Sequence, residues 1–534
     1  MDLTYRGTDP ASSRDPAWSS PPPIAAVPER TRATALWRAA AVFALVAGVA
    51  VRFIAVSHLW LDEALTVNIA RLPLSQLTDA LRRDGAPPLF YVLLHGWMSV
   101  FGTSAFAVRA LPGLFGVIAL PLMWFAARRV GGERVAWAAT LLLAAGPFAI
   151  RYATEARMYS LVTDLVLVGF LAILALRDGG GVKPMVVLSL TTAALMLTHY
   201  WSLYLLVVAA AALLVAARRN EPGARRSLVA IGVGCLLFLP WAPIFLDQLR
   251  HTGTPWGLPG NFRSLFDTIT DFAGGYWDAG IPLGLMYFGL IGLALFGRAV
   301  DGHGVMFEFL RPRKPGSWLA MVGFGTLAVA ILAGIVGRSA FAVRYASVLY
   351  PLIIILVALG TEPLLDRRVF NAVVAVAVGF GLWANVPNIV GDRTSAAKVA
   401  AVIKAQSRPG DVVGYCPDQV GPSVNRALGQ TGDGLVQLTF PRAIGPAFVD
   451  WRDYAAVNKA GSPFAYANLL LQRAGPGHTV WLVWAPGYRT VGGKCQNIID
   501  VLDNARPDNR RVVKVSTQYF ERPGLVRFRP NTTG

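Results

Sequence analysis

Apolar runs recur along the first three quarters of the chain, at residues 39–51, 141–150 and 328–336 among others. Many extend to the roughly 20 residues that a helix needs to cross a bilayer. In hydrocarbon every backbone N–H and C=O must be paired within the protein, so such runs have to be helices. The composition agrees. Hydrophobic residues make up 54% of the 534, charged residues only 15%, and mean hydropathy is +0.48, whereas soluble domains carry about 25% charge. The chain therefore reads as a polytopic α-helical membrane protein. Its net charge of +18 does not indicate a nucleic-acid binder. The basic residues fall in short clusters between apolar runs, as membrane topology requires, and no RNA- or DNA-binding motif is present.

A first span at 34–56 follows Arg30 and Arg32 and contains Arg38, which places the N-terminus in the cytoplasm. Segment 86–101 is short, opens with Pro87-Pro88 and contains His95. It reads as a helix lying in, or dipping into, the outer interface. The remaining spans then fall at 105–127, 134–152, 158–176, 184–199, 200–217, 226–246, 279–300, 317–337, 345–363 and 370–388. This gives about eleven spans and leaves the C-terminus outside. The inner loops then hold Arg128 and Arg129, Arg218 and Arg219, Arg311 and Arg313, and Arg367 and Arg368. Counting 86–101 as a span would put these clusters outside, against the positive-inside rule. One face thus collects 62–83, 151–157, 199–201, 247–278, 338–344 and everything after 390.

Residues 1–32, rich in Pro and Ser, read as a disordered cytoplasmic tail. They are too polar for a signal peptide, so the first run reads as a retained anchor. Residues 33–390 form the membrane part. Residues 391–534 change character: 396–406 has helical spacing, while 411–415, 479–484 and 511–515 read as strands bounded by Gly and Pro. A small extracytoplasmic α/β domain follows, large enough to bury its own core. On that side Cys416 and Cys495 can pair, or stay as two buried thiols. Cys235 reads as core. Three widely spaced cysteines without a CxxC do not make a structural zinc site.

Five groups on or near the external face can carry chemistry. Asp62 and Glu63 are adjacent, so on a helix they point about 100° apart and cannot both face one ligand. One suits a base and the other a brace; the plainer reading is a helix cap and first turn. In RYATEARMYS (151–160), Arg151, Glu155 and Tyr159 follow at intervals of four, which aligns them on a helix face, with Arg157 off it. An interfacial Arg/Tyr anchor is the alternative. His199, in THYWS, is either an aromatic-belt residue or a hydrogen-bond donor to a phosphate or sugar. Arg338 and Arg344, with Tyr345, stand at the outer membrane edge. Planar cations there suit a phosphate at headgroup level or lipid headgroups generally. Deeper in the membrane, Asp164 is an intramembrane acid, and Arg109 reads as an anchor or as the partner of an acid.

The order WLDEA (60–64), PPLFY (87–91), EARMYS (155–160), THY (198–200) and RYASVLYP (344–351) resembles the GT-C membrane glycosyltransferases. The nearest branch is the family 39/83-like group of protein O-mannosyltransferases, aminoarabinose transferases of lipid A and Rgt-type galacturonosyltransferases. The resemblance covers about residues 35–390, and the tail does not look like the MIR domains of eukaryotic mannosyltransferases. It implies a GT-C fold with interfacial helices in the first external loop. It also implies inverting transfer of a sugar from a polyprenyl-phosphate donor on the external face. Asp62 of the DE motif would be the base, Glu155 the second loop acid, and Arg344-Tyr345 would lie near the donor phosphate.

These readings join into one expectation: an inner-membrane glycosyltransferase, hexosyl- or pentosyl-, acting on a hydroxyl of a glycan, lipid or protein acceptor. Asp62, Glu63 and Glu155 are its catalytic candidates; Arg344, Tyr345, Arg338, His199, Arg157 and Tyr159 are its donor-phosphate or substrate-binding candidates. No cofactor is obligatory, and a divalent metal is possible but not indicated. Nucleic acid is not a partner. A lipid-linked sugar transporter or flippase and a non-catalytic envelope-assembly protein are the competing classes. The stretch 64–72 beyond the acid pair reads as an amphipathic helix lying on the membrane.

Overall fold

The computed structural model describes residues 31–253, 257–276, 279–300, 304–337 and 340–531. Contacts divide the chain into two units, Met1–Phe43 and Ala44–Gly534. Most of the expected disordered tail, like Arg338, lies outside the described residues.

By length and composition, five helices can cross a membrane: Ala105–Ala145, Tyr159–Arg177, Ala224–His251, Lys314–Gly337 and Arg367–Val390. The other expected spans are shorter apolar helices, including Val182–Thr198, Ser202–Arg218, Gly280–Phe296 and Tyr350–Leu359. Segment 105–145 holds the two expected spans, which meet at Gly132, a residue at φ 78°, ψ −171°. That conformation is open essentially to glycine alone. The second of these helices ends at Ala145 rather than 152, and Pro147–Ala153 starts a new short helix.

The terminal carbonyls of a buried helix end have no partner within the helix. Here side chains supply them. The buried Arg52 donates to Leu143 O (2.7 Å) and Ala144 O (2.8 Å), and Asn385 Nδ2 donates to Ala145 O (3.0 Å). Small residues let other helices approach closely. A Cβ at Gly360 would stand 2.0 Å from Leu290 O, so only glycine fits where Tyr350–Leu359 ends against Gly280–Phe296.

Between Val51 and Ala105 the chain forms three short helices, Leu61–Ala70, Leu74–Asp84 and Leu89–Phe101. At 13 residues the last is about 20 Å long, too short to cross a core of about 30 Å. The first is not a helix lying open on a membrane. Eight of its ten residues are buried, because Gly421–Leu428 packs against it from the C-terminal segment.

Seven strands are present among the described residues. β1 (Gly297–Val300) and β2 (Gly304–Phe307) form a hairpin. β3 (Val412–Cys416), β4 (Val436–Thr439), β5 (Val480–Trp484), β6 (Asn509–Val513) and β7 (Gly524–Phe528) make a sheet of order β4-β3-β5-β7-β6. β3 runs parallel to β4 and β5, whereas β7 is antiparallel to β5 and β6. Alternate side chains point to opposite faces of a strand, and both faces here are apolar. Val412, Val480 and Val526 join one cluster with Leu470 and Ile498; Val413, Trp481 and Leu525 join the other with Val399 and Val424. Helices Pro463–Ala474 and Lys494–Ala505 cover the first face, Ala396–Gln406 and Gly421–Leu428 the second. Cys416 and Cys495 form a disulfide between β3 and Lys494–Ala505, with Cα atoms 5.5 Å apart.

Candidate active site

Asp62 and Glu63 open helix Leu61–Ala70, and their divergence separates two environments. Glu63 is fully buried. Arg109 grips both of its oxygens, Nε to Oε1 at 2.7 Å and Nη2 to Oε2 at 2.6 Å, and the Ala156 N–H donates to Oε1 at 3.0 Å. Burial pushes the Glu63 carboxyl up, but Arg109, Arg393 and the Ala156 amide outweigh it and hold the group below its ordinary value. Arg109 also donates to Ser57 O at 2.6 Å. Glu63 is thus saturated: it fastens the start of helix Leu61–Ala70 to the turn at 154–158.

Asp62 is 17% exposed and faces Arg344, with Oδ2 3.6 Å from Nη2. Arg344 comes from the 3-10 turn Val343–Val348. Its guanidinium lies over Tyr345 (5.5 Å) and Trp60 (6.0 Å). His199 packs between Tyr345 (5.5 Å) and Tyr159 (5.8 Å). Its Nδ1 accepts the Trp201 N–H at 3.2 Å, which leaves the proton of a neutral ring on Nε2. The ring is neutral because burial, Arg157 and Arg344 lower its pKa to about 3.

Glu155 does not lie on a continuous helix with Tyr159. Helix Pro147–Ala153 ends, a turn carries Glu155, and a new helix begins at Tyr159. Glu155 is 1% exposed and neither oxygen has a hydrogen-bond partner. Arg151 Nε stands 3.3 Å away and Arg393 Nη1 3.9 Å away. Burial nevertheless raises its pKa, with Glu63 and Asp62 adding to the rise. Arg157 donates to Thr66 Oγ1 (2.7 Å) and Tyr91 OH (3.4 Å). Tyr91 in turn donates to Asp84 Oδ2 at 2.9 Å. Asp164 lies within Tyr159–Arg177, buried, with Oδ1 unpaired.

The fold therefore gathers Asp62, Glu63, Glu155, Arg157, Tyr159, His199, Arg344 and Tyr345. Sequence reasoning missed Asp84 and Arg393. Arg393 donates to Thr154 O and Thr154 Oγ1, both at 2.7 Å, and so braces the Glu155 turn. It lies 239 residues from Thr154 and has no local pattern to mark it. Asp84 stands three residues before the PPLFY segment, where the signal was available. Among the described residues no group of three or more His, Cys, Asp or Glu side chains is placed to hold a metal.

A cavity of about 680 Å³ lies beside this cluster, lined by Gly257, Asn261, Ser264, Phe341, Tyr488 and Arg489 among others. It is not centred on Asp62. Phe341 packs on Trp201 at 5.6 Å, and Trp201 on Tyr345 at 5.6 Å, so cavity and cluster share an aromatic wall. Burial raises the pKa of the Tyr488 hydroxyl, and Glu521 and Asp62 add to it.

Residues 85–244 match the sequence model of the family described as dolichyl-phosphate-mannose-protein mannosyltransferase. Among curated proteins no sequence matches. Two crystal structures of ArnT from Cupriavidus metallidurans, one apo and one bound to undecaprenyl phosphate, superpose with TM-scores of 0.55 and 0.56. Each is 14% identical and covers 93% of this chain and 98% of the other. Archaeal AglB from Archaeoglobus fulgidus gives 0.45 at 10% identity, over 88% and 72% of the two chains. The chain is a membrane protein that shares the fold of ArnT, and its residues 85–244 match the model of the dolichyl-phosphate-mannose-protein mannosyltransferase family.

Proposed function

We propose that the chain is an inverting glycosyltransferase that takes a sugar from a polyprenyl-phosphate donor and passes it to a hydroxyl acceptor. The placement of Asp62 against Arg344 carries this reading: a carboxylate and a cation held side by side. In a single displacement the acceptor oxygen attacks the anomeric carbon from the face opposite the phosphate. The bond from that carbon to the phosphate oxygen breaks, and the lipid phosphate leaves with the electron pair. Asp62 takes the acceptor proton. Arg344 and the Nε2–H of His199 hold the phosphate and the charge it gains. A donor phosphate competes with Asp62 for the Arg344 guanidinium and so leaves the carboxylate to act as a base. Glu155 orients the acceptor or the base, and Arg157, Tyr159 and Tyr345 line the donor side. Arg338, six residues before Arg344 in the sequence, is a further donor-phosphate candidate.

The cavity at Tyr488 and Arg489 gives a glycan, lipid or protein acceptor a way in. We assign residues 1–32 to a cytoplasmic tail, 33–390 to the catalytic membrane part and 391–534 to an extracytoplasmic domain, in the inner membrane with the N-terminus inside. The test is Asp62→Asn, an isostere that keeps the volume and removes the base. Purified variant should bind undecaprenyl phosphate at least as tightly as the unaltered protein and lose at least about 100-fold in turnover of lipid-linked sugar extracted from the producing cells. Turnover at the wild-type rate would remove Asp62 as the base.

A further inference from the structure

Glu521 is a buried carboxylate that the reaction above does not use. It is 4% exposed, and among the described residues it takes part in no ion pair. Burying a carboxylate without a cation is costly, so its contacts need a reason. Oε1 accepts from Ser423 Oγ at 2.7 Å, and Oε2 accepts from the Leu61 N–H at 3.2 Å. Leu61 is the first residue of the helix that carries Asp62. That helix has no cap of its own, since its N-cap residue is Trp60, which offers no side-chain acceptor. Free N–H groups at a helix start need acceptors. Glu521, whose pKa burial raises to about 7, supplies one from 460 residues away.

The neighbouring residues tighten the same point. Phe520 meets the Trp60 ring edge-on at 5.0 Å, and Trp60 lies under Arg344. The Glu521 N–H donates to Arg393 O at 2.9 Å, and the Ser395 N–H donates to Glu521 O at 3.2 Å. Arg393 in turn holds the Glu155 turn through Thr154. One backbone pairing, 393–395 with 521, therefore connects the supports of both acids.

We propose that Glu521 is a positioning residue: it fixes the first turn of Leu61–Ala70, and with it the aim of Asp62 at Arg344, so that the C-terminal α/β segment completes the site. The importance for turnover rests on Asp62 being the base; the effect on the helix does not.

The test uses the full chain in detergent micelles, with Glu521→Ala and Glu521→Gln. The glutamine keeps an acceptor oxygen for the Leu61 N–H and loses the charge. Hydrogen exchange at the first-turn amides, from Leu61 to Leu65, should rise at least about 10-fold in the alanine variant and less in the glutamine variant. Exchange in β5 and β7 should stay unchanged. With lipid-linked sugar extracted from the producing cells, kcat should fall at least about 10-fold in the alanine variant at unchanged KM, and the glutamine should restore most of it. Undecaprenyl phosphate should bind all forms alike. Unchanged first-turn exchange in both variants overturns the proposal. So does loosening of β5 and β7 together with the helix, which marks a merely structural role. Faster first-turn exchange with normal kcat, alongside an inactive Asp62→Asn, overturns the catalytic part. If Asp62→Asn is itself active, the base assignment fails while the exchange result still decides the capping.

Discussion

At the scale of single residues, two adjacent acids with opposite demands share one helix start. Glu63 and Arg109 are a buried, doubly hydrogen-bonded pair. Removing one partner strands the other charge, which costs about 3–5 kcal/mol. Glu63→Ala should therefore lower the temperature at which the protein loses its fold, as should Arg109→Ala. The double variant should cost clearly less than the sum, because no lone charge remains; simple additivity would show that the pair is not coupled. Asp62→Asn, at a partly exposed position, should leave thermal stability nearly unchanged. His199 supplies a pH signature. In the fold its pKa is lowered to about 3, while in the unfolded chain it titrates near 6.5. Between those values the unfolded state binds the extra proton, so the His199 contribution to stability is complete above about 6.5 and declines as pH falls toward 3. His199→Gln should remove that part of the acid dependence, read as a smaller drop in melting temperature between pH 7 and pH 5. An equal drop in both forms would place the proton elsewhere. Much of this was legible from the residues. Two neighbours on a helix must diverge, and an Arg at the start of a span is a natural partner for an acid. Arg393 and Glu521 were not legible, because each acts across more than 230 residues through backbone groups that no spacing rule reaches.

At the scale of elements, the turns decide where the site residues point. Gly132 joins two helices at φ 78°, ψ −171°. A Cβ there meets nothing within 4 Å, so space is no obstacle and only the backbone conformation is. Gly132→Ala should thus cost about 1–3 kcal/mol from strain alone, measured as a lower melting temperature in micelles. A neutral substitution would mean that the turn relaxes to another geometry. The two spans on either side were readable from hydropathy. Their outer end was not: a hydropathy window runs across Gly146-Pro147, whereas the chain breaks there and re-aims Arg151 and Glu155. Periodicity failed for the same reason at 151–160, where spacing of four suggested one helix and a turn intervenes. It failed differently at 64–72, where polar residues suggested an exposed face and Asn68 instead donates to Ala447 O at 2.7 Å. In the tail, helix Ala396–Gln406 was readable to the residue. β4 and β7 escaped notice, since runs of four or five residues carry little alternation.

At the scale of the whole molecule, the C-terminal segment is fastened at several points to residues 83–103 and to helix Ala242–His251. Arg452 Nη1 meets Asp247 Oδ2 at 2.8 Å, the Trp451 N–H donates to Arg83 O at 3.0 Å, and Arg426 donates to Thr103 O. These contacts require residues 62–103, 247 and the tail to share one side of the membrane, whichever side that is. The disulfide Cys416–Cys495 belongs in an oxidising compartment, and the arginine clusters at 128–129, 218–219 and 367–368 belong in the cytoplasm. Both arguments support the external placement proposed for the tail, and a labelling experiment tests it against the opposite. Lys459 is exposed on the tail and Glu221 is exposed in the loop between Ser202–Arg218 and Ala224–Phe238. With Cys235 replaced by Ala, the disulfide leaves no other thiol to react. Lys459→Cys should then take up a membrane-impermeant maleimide in intact spheroplasts, whereas Glu221→Cys should react only after permeabilisation. The reverse pattern would turn the molecule over, put the Asp62–Arg344 pair on the cytoplasmic face and exclude an externally presented donor. Labelling of both in intact cells would break the alternation of spans between residues 221 and 459, and with it the expected eleven crossings.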